Sequence, residues 1–218
     1  MESIHPLAPL AEIYLKALRQ GNADAAAELI HQASGVMGID ALYLDVFQPV
    51  MYEVGRLWEY NEMSVADEHF CTAVTQTIMA QLYPRVFRTP RNGRRMIGAC
   101  ISGEQHEIGI RMVCDLFQLR GWDTCYLGAQ MPVDSLLRMI EKRQPELVAL
   151  SATLMNHVDE VEQTIRAIRS ACGKQGLRIM VGGQPFNRQE SLIQQVGADA
   201  HAPRADLAVS TLPLCKAA

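Results

Sequence analysis

The chain has 218 residues, 49% of them hydrophobic and 20% charged, with a formal net charge of −4. That length buries one large domain or two small ones, and the acidic balance argues against nucleic-acid binding by the chain as a whole, which needs a strongly basic surface. No apolar run is long enough to span a bilayer, and residues 1–13 lack the basic-then-apolar pattern of a secretory signal.

The six cysteines are Cys71, Cys100, Cys114, Cys125, Cys172 and Cys215. They form no CxxC pair and no metal-finger spacing, so reduced, buried thiols in a cytoplasmic protein are expected.

The first part of the chain reads as helix throughout. Residues 6–19 carry a helix-period stripe of Leu10, Ile13, Tyr14, Ala17 and Leu18 that stops before Gly21. A second helix is predicted over 24–32 and a third over 39–60, with Pro49 as a kink. Ser64 opens a fourth, with Asp67 three residues on as in a capping box. Four helices joined by short loops predict an antiparallel bundle.

Thr89-Pro90-Arg91-Asn92-Gly93 is a cluster of chain breakers and is the expected boundary between a helical domain over 1–90 and a second domain over 94–218. Arg85, Arg88, Arg91, Arg94 and Arg95 crowd around it. A solvated linker is the expected role, with contact to an anion as the sharper alternative.

Beyond the boundary, apolar runs alternate with helical patterns. RMIGACIS leads to a helix over 107–119. DTCYLGA, VDSLLRMIEKR, LVALSA, HVDEVEQTIRAIRSA and RIMVGG follow, with short helices near Ser191 and Ala205. This alternation predicts an α/β fold: a doubly wound, Rossmann- or flavodoxin-like parallel sheet of five strands covered on both faces. Ligands of such sheets bind outside the carboxyl ends of the strands.

Three signals fall at those ends. Glu104-Gln105-His106-x-x-Gly109 follows the first strand. An exposed loop imidazole there can ligate a metal through one nitrogen, with Glu104 two residues back as acceptor for the other. Gly109 opens room for a bulky ligand near a helix start. After 41 intervening residues come Ser151 and Thr153, and after 28 more Gly182-Gly183. These small residues predict a slot between strands that admits a slender aromatic tail. Read singly, the histidine is an ordinary loop residue, Ser-Ala-Thr is strand punctuation and Gly-Gly a plain turn.

In combination, the spacing resembles the cobalamin-binding fingerprint written D-x-H-x-x-G, S-x-L, G-G, across nearly all of residues 95–212. The resemblance implies that the cofactor's benzimidazole leaves the cobalt and enters the slot, while His106 replaces it as lower axial ligand. Glu104 takes the Asp position, and Gln105 lies between them. Ser151, Thr153, Gly182 and Gly183 would line the slot. The departures are Glu for Asp and Thr for the final Leu.

The helical half resembles the cap of B12-dependent photoreceptors of the CarH type, in which a Trp is followed after nine residues by Glu-His. Here Trp58 is followed by nine residues and then Glu68-His69. The resemblance implies adenosylcobalamin held between cap and sheet domain, with Trp58 against the adenosyl group and Glu68 and His69 bonded to it. Where family members carry a cobalt-capturing His directly after the Trp, this chain has Glu59.

No helix-turn-helix segment precedes the bundle in this sequence, so the expected output runs through a partner protein or self-association, without direct DNA binding or a membrane. Stand-alone relatives, the photocobilins, also hold a linear tetrapyrrole, which no residue here demands. A non-enzymatic sensor is the leading expectation, and a corrinoid methyl carrier of a methyltransferase system is the alternative. A generic nucleotide module is disfavoured by the lack of G-x-G-x-x-G and G-x-x-x-x-G-K-[ST], and a mutase by the lack of a barrel.

Overall fold

Alanine, leucine and tyrosine at helical spacing place the first part of the chain in helices. The computed structural model describes residues 7–173 and 176–211; Cys215 and the first residue of the stretch 6–19 lie outside them. Helix α1 (Pro9–Arg19) starts at a proline, whose missing N–H is harmless in a first turn. Helix α2 (Ala23–Ser34) is capped by Asn22, whose side chain accepts from the Ala25 N–H at 3.0 Å.

The segment predicted as one kinked helix over 39–60 is three pieces: α3 (Ile39–Leu42), a π-helical turn (Tyr43–Phe47) and α4 (Gln48–Glu59). Pro49 can donate no hydrogen bond and its ring would strike a carbonyl one turn back. The wider turn absorbs that conflict without a break in the helix. Helix α5 (Val65–Val86) opens on the expected capping box. Ser64 Oγ donates to Asp67 Oδ2 at 2.6 Å, and the Asp67 N–H donates back to Ser64 Oγ at 3.1 Å.

The chain divides into two compact units between Val86 and Phe87. The first buries Tyr14, Leu18, Ile30, Leu42, Tyr43, Phe47, Val54, Ile78 and Leu82. Tyr14 and Tyr43 tilt against Phe47 at centroid distances of 5.5 and 5.8 Å. The Tyr14 hydroxyl shares a 2.9 Å bond with Thr75 Oγ1, so its one polar atom is satisfied in the core.

The breaker cluster expected to link the units is instead bonded into the second one. Thr89 Oγ1 donates to the Leu119 carbonyl, Arg91 to the Trp122 carbonyl, and Asn92 Nδ2 to the Arg120 carbonyl. The Arg94 guanidinium lies 4.0 Å from the centroid of the Trp122 ring and bonds Glu146 at 3.1 Å, while Arg85 donates to the Ser34 carbonyl within the first unit. Residues 90–93 are exposed, as expected of a solvated segment, but the bonds from Thr89, Arg91 and Asn92 tie the segment to the second unit.

The second unit is an all-parallel sheet of β1 (Arg95–Cys100), β2 (Asp123–Tyr126), β3 (Leu147–Ser151), β4 (Arg178–Gly182) and β5 (Ala200–His201), in the order β2-β1-β3-β4-β5. This is the flavodoxin-like order, and it reverses between β1 and β3.

One face carries α6 (Ile108–Leu119) and α11 (Ala205–Thr211), packed on Met96, Cys100, Leu147, Ala149 and Met180. The other carries α7 (Val133–Arg143), α8 (Val158–Cys172) and the short α9 (Gln184–Arg188) and α10 (Ser191–Gln195), over Ile97, Val148, Leu150, Ile179 and Val181. Strand β5 has two residues and α9 five, too short for an apolar period to announce. The described cysteines are free thiols. Cys71, Cys100 and Cys114 are buried and Cys125 half-buried, but Cys172 is exposed at the last position of α8, against expectation.

Candidate functional site

The loops leaving β1 and β3 meet at the point where strand order reverses, and one side chain joins them. Glu104 is fully buried. Its Oε1 accepts from the backbone N–H of His106 at 2.9 Å and from His106 Nδ1 at 2.5 Å. Its Oε2 accepts from the Thr153 N–H at 2.6 Å and from His157 Nδ1 at 3.1 Å. All the acceptor capacity of an ionised carboxylate is thus in use. Burial alone would raise its pKa, but the bonds from His106, Thr153 and His157 outweigh that and hold it at about 2.

The charge state decides the tautomer. An ionised carboxylate only accepts, so His106 Nδ1 must donate. In the neutral ring the lone pair is then on Nε2, the nitrogen a metal would take. The His106 side chain is 50% exposed, while the carboxylate that orients it is wholly enclosed. The longer reach of glutamate lets one carboxylate serve its own loop and the β3 loop together.

His157 was not anticipated. It ends a short 3-10 turn (Met155–His157) just before α8, with its side chain 18% exposed. A Cβ placed on Gly103 would lie 3.8 Å from its Nε2. It stands 53 residues from Glu104, and only the pairing of β1 with β3 brings the two together.

The small residues divide by role. Ser151 pairs in register with Gly182 at the ends of β3 and β4. Ser151 is buried, and a Cβ on Gly182 would have the Ala202 carbonyl at 3.8 Å as its neighbour, so this part of the sheet edge is lined by little bulk. Thr153 contributes its backbone N–H to Glu104. Gly183 has φ 110°, and a Cβ there would come 1.9 Å from the Ala152 carbonyl oxygen, so backbone packing alone requires glycine. Gly109 is the opposite case. It sits in the first turn of α6, and a Cβ there would meet nothing within 4 Å. The protein's own packing gives no reason for glycine at that place. Gln105 is exposed beside His106.

In the first unit, Trp58 lies near the end of α4 and is 45% exposed, whereas its neighbour Leu57 is in the core. Glu68 and His69 lie in the first turns of α5. Glu68 Oε2 meets His69 Nδ1 at 2.6 Å, and Glu68 Oε1 accepts from Thr72 Oγ1 at 2.8 Å. The His69 side chain is 73% exposed. Glu59 is exposed beside Trp58.

The fold and this geometry define a class: a doubly wound α/β binder with a carboxylate-oriented imidazole at its topological switch point. Two B12-binding-domain profiles match the chain, over residues 10–83 and 94–212, and the chain belongs to that family of cobalamin-binding proteins.

Its relatives fall into two groups. The chain is 28% identical to the HTH-type transcriptional repressor CarH of Myxococcus xanthus over 154 residues, 70% of this chain and 50% of that protein. It spans 58% of the repressor CarA of the same organism. It is 26% identical to the trimethylamine corrinoid protein of Methanosarcina barkeri over 197 residues, 86% of this chain and 88% of that one. Among solved structures, the monomethylamine corrinoid protein of Methanosarcina barkeri superposes with a TM-score of 0.80 at 21% identity, covering 92% of this chain and 95% of its own, which is a likeness of fold.

Proposed function

We propose that this chain is a non-enzymatic sensor that binds adenosylcobalamin with His106 as lower axial ligand and answers to light. The observation that carries the sensory reading is the 45% exposed indole of Trp58. The first unit closes its core with Tyr14, Tyr43 and Phe47 and leaves this large apolar ring outward, at a fixed sequence distance from the Glu68–His69 pair.

In this reading, His106 gives its Nε2 lone pair to the metal, and Glu104 keeps the proton on Nδ1. Gly109 leaves room for the macrocycle, and the Ser151–Gly182 edge takes the nucleotide tail. When bound, adenosylcobalamin supplies a cobalt–carbon bond that visible light breaks. Trp58 would cover the adenosyl group and exclude water from it, and Glu68 and His69 would hydrogen-bond it. Losing those contacts biases a two-state element, and the output passes to a partner protein or to self-association in the cytoplasm.

A second reading, a corrinoid methyl carrier, is favoured by the trimethylamine corrinoid match, which runs over 86% of this chain against 70% for CarH. Illumination separates the two. The sensor, loaded with adenosylcobalamin, undergoes a lasting spectral change and releases an adenosine derivative. A protein that is unchanged by light but exchanges methyl groups under reducing conditions is a carrier. The same spectrum reveals any linear tetrapyrrole.

A further inference from the structure

We propose that Tyr126 and Glu107 are positioning residues that hold the His106 loop for metal ligation, an assignment that rests on His106 being the cobalt ligand. The Tyr126 hydroxyl, at the end of β2, donates to Glu107 Oε2 at 2.6 Å. Glu107 directly follows His106 and directly precedes α6. The histidine therefore lies between two side-chain anchors that pull in different directions. Glu104 ties the loop to the β3 side through Thr153 and His157. Glu107 ties it to β2 on the opposite side of β1.

The backbone after Tyr126 is shaped around this anchor. Gly128 has φ 77°, and a Cβ there would crowd Glu107 Oε2 at 3.2 Å. In the same stretch, the Gly128 carbonyl accepts from the Cys100 N–H at 3.0 Å, and the Gln130 N–H donates to the Glu104 carbonyl at 2.9 Å. Strand β2 and the segment that follows it thus hold the histidine loop at Glu107 and Glu104, and the end of β1 at Cys100. Burial, and then the adjacent Glu107, push the Tyr126 phenol far above its usual range, so it stays a donor at every working pH.

Glu104 sets the ring orientation and tautomer. The Tyr126–Glu107 bond sets where the backbone of His106 sits over the switch point. Orienting contacts of this kind are worth roughly tenfold or more in metal affinity.

The test compares the wild type with Tyr126→Phe, Glu107→Ala and Glu107→Gln, each carrying histidine labelled with heavy nitrogen. Each is loaded with cobalamin and reduced to Co(II) for electron paramagnetic resonance. A protein imidazole splits the signal into doublets and the cofactor's ordinary benzimidazole nitrogen into triplets. The wild type should give doublets. Tyr126→Phe and Glu107→Ala should bind roughly tenfold more weakly and show a triplet component. Glu107→Gln, whose amide oxygen still accepts from the phenol, should stay near the wild type.

Full doublets with unchanged affinity in Tyr126→Phe and Glu107→Ala overturn the proposal and leave His106 as ligand. So does a fall in melting temperature with no change in the ligand signal, which marks the pair as merely structural. Triplets in the wild type remove the underlying assignment of His106 instead.

Discussion

Replacing Glu104 by Gln keeps the shape of the side chain and removes its charge. One acceptor oxygen becomes an amide that donates, so two of the four donors now aimed at Glu104, from His106, Thr153 and His157, face another donor. Bonds to a charged acceptor are worth ~1.5–3 kcal/mol each, which sets the loss at roughly 3 kcal/mol or more. The depressed acidity that these same bonds give the carboxyl implies a loss on the same scale. A carboxyl lowered from 4.5 to about 2 represents roughly 3 kcal/mol of native-state stability. The two figures describe one effect and do not add.

Because the folded-state pKa is depressed, this stability is fully present above the ordinary value of 4.5 and is lost as pH falls through about 2. The variant should therefore be roughly 3 kcal/mol less stable than wild type at neutral pH, and the gap should narrow steadily below pH ~4.5. Urea unfolding reads this in a Trp58→Phe background. There Trp122, buried edge-on against Phe117 at 4.9 Å, is the only indole and reports on the sheet unit. An equal midpoint at neutral pH, or a deficit of the same size at pH 3, refutes the account of Glu104.

Gly109→Ala should stabilise the protein without cofactor by ~0.5 kcal/mol, since a helical glycine gains from a Cβ that meets nothing; it should at the same time weaken cobalamin binding. Stability by chemical denaturation and affinity by titration check both signs, and loss of stability contradicts the open-space reading. Gly183→Ala should cost more than ~3 kcal/mol, from a φ of 110° and a Cβ 1.9 Å from the Ala152 oxygen; a melting temperature near wild type contradicts it. Trp58→Ala should leave the fold and cobalamin uptake in place but erase the preference for adenosyl- over methylcobalamin, measured by competition. An unchanged preference takes Trp58 out of the role proposed for it.

What the sequence made readable was local. The apolar run ending at Cys100, followed by polar Glu104 to His106, signals a strand end, and the two-residue spacing puts the carboxylate in reach of the ring. The Ser64–Asp67 capping box and the alternation of strands with helices are legible for the same reason: neighbours in sequence decide them. The missed features are contacts across long separations. His157 and Thr153 join Glu104 across 53 and 49 residues, and no spacing rule connects them. Tyr126 and Glu107 look like an ordinary strand aromatic and an ordinary loop acid until β2 lies beside β1. The bonds that tie the segment near residue 90 to the second unit are not legible, because the carbonyls of Trp122 and Arg120 that hold it lie 31 and 28 residues from Arg91 and Asn92. The effect of Pro49 falls on the residues before it, where Tyr43–Phe47 form a π-helical turn, and no local rule in the sequence announces that turn.

The central claim is that the imidazole of His106 binds cobalt in place of the cofactor's own base. Electron paramagnetic resonance of the Co(II) form bound to the 218-residue chain, with heavy nitrogen in its histidines only, asks this directly. Doublet splitting in the wild type that disappears in His106→Ala is the result predicted. Triplet splitting in the wild type, or a purified chain that takes up no corrinoid, contradicts it.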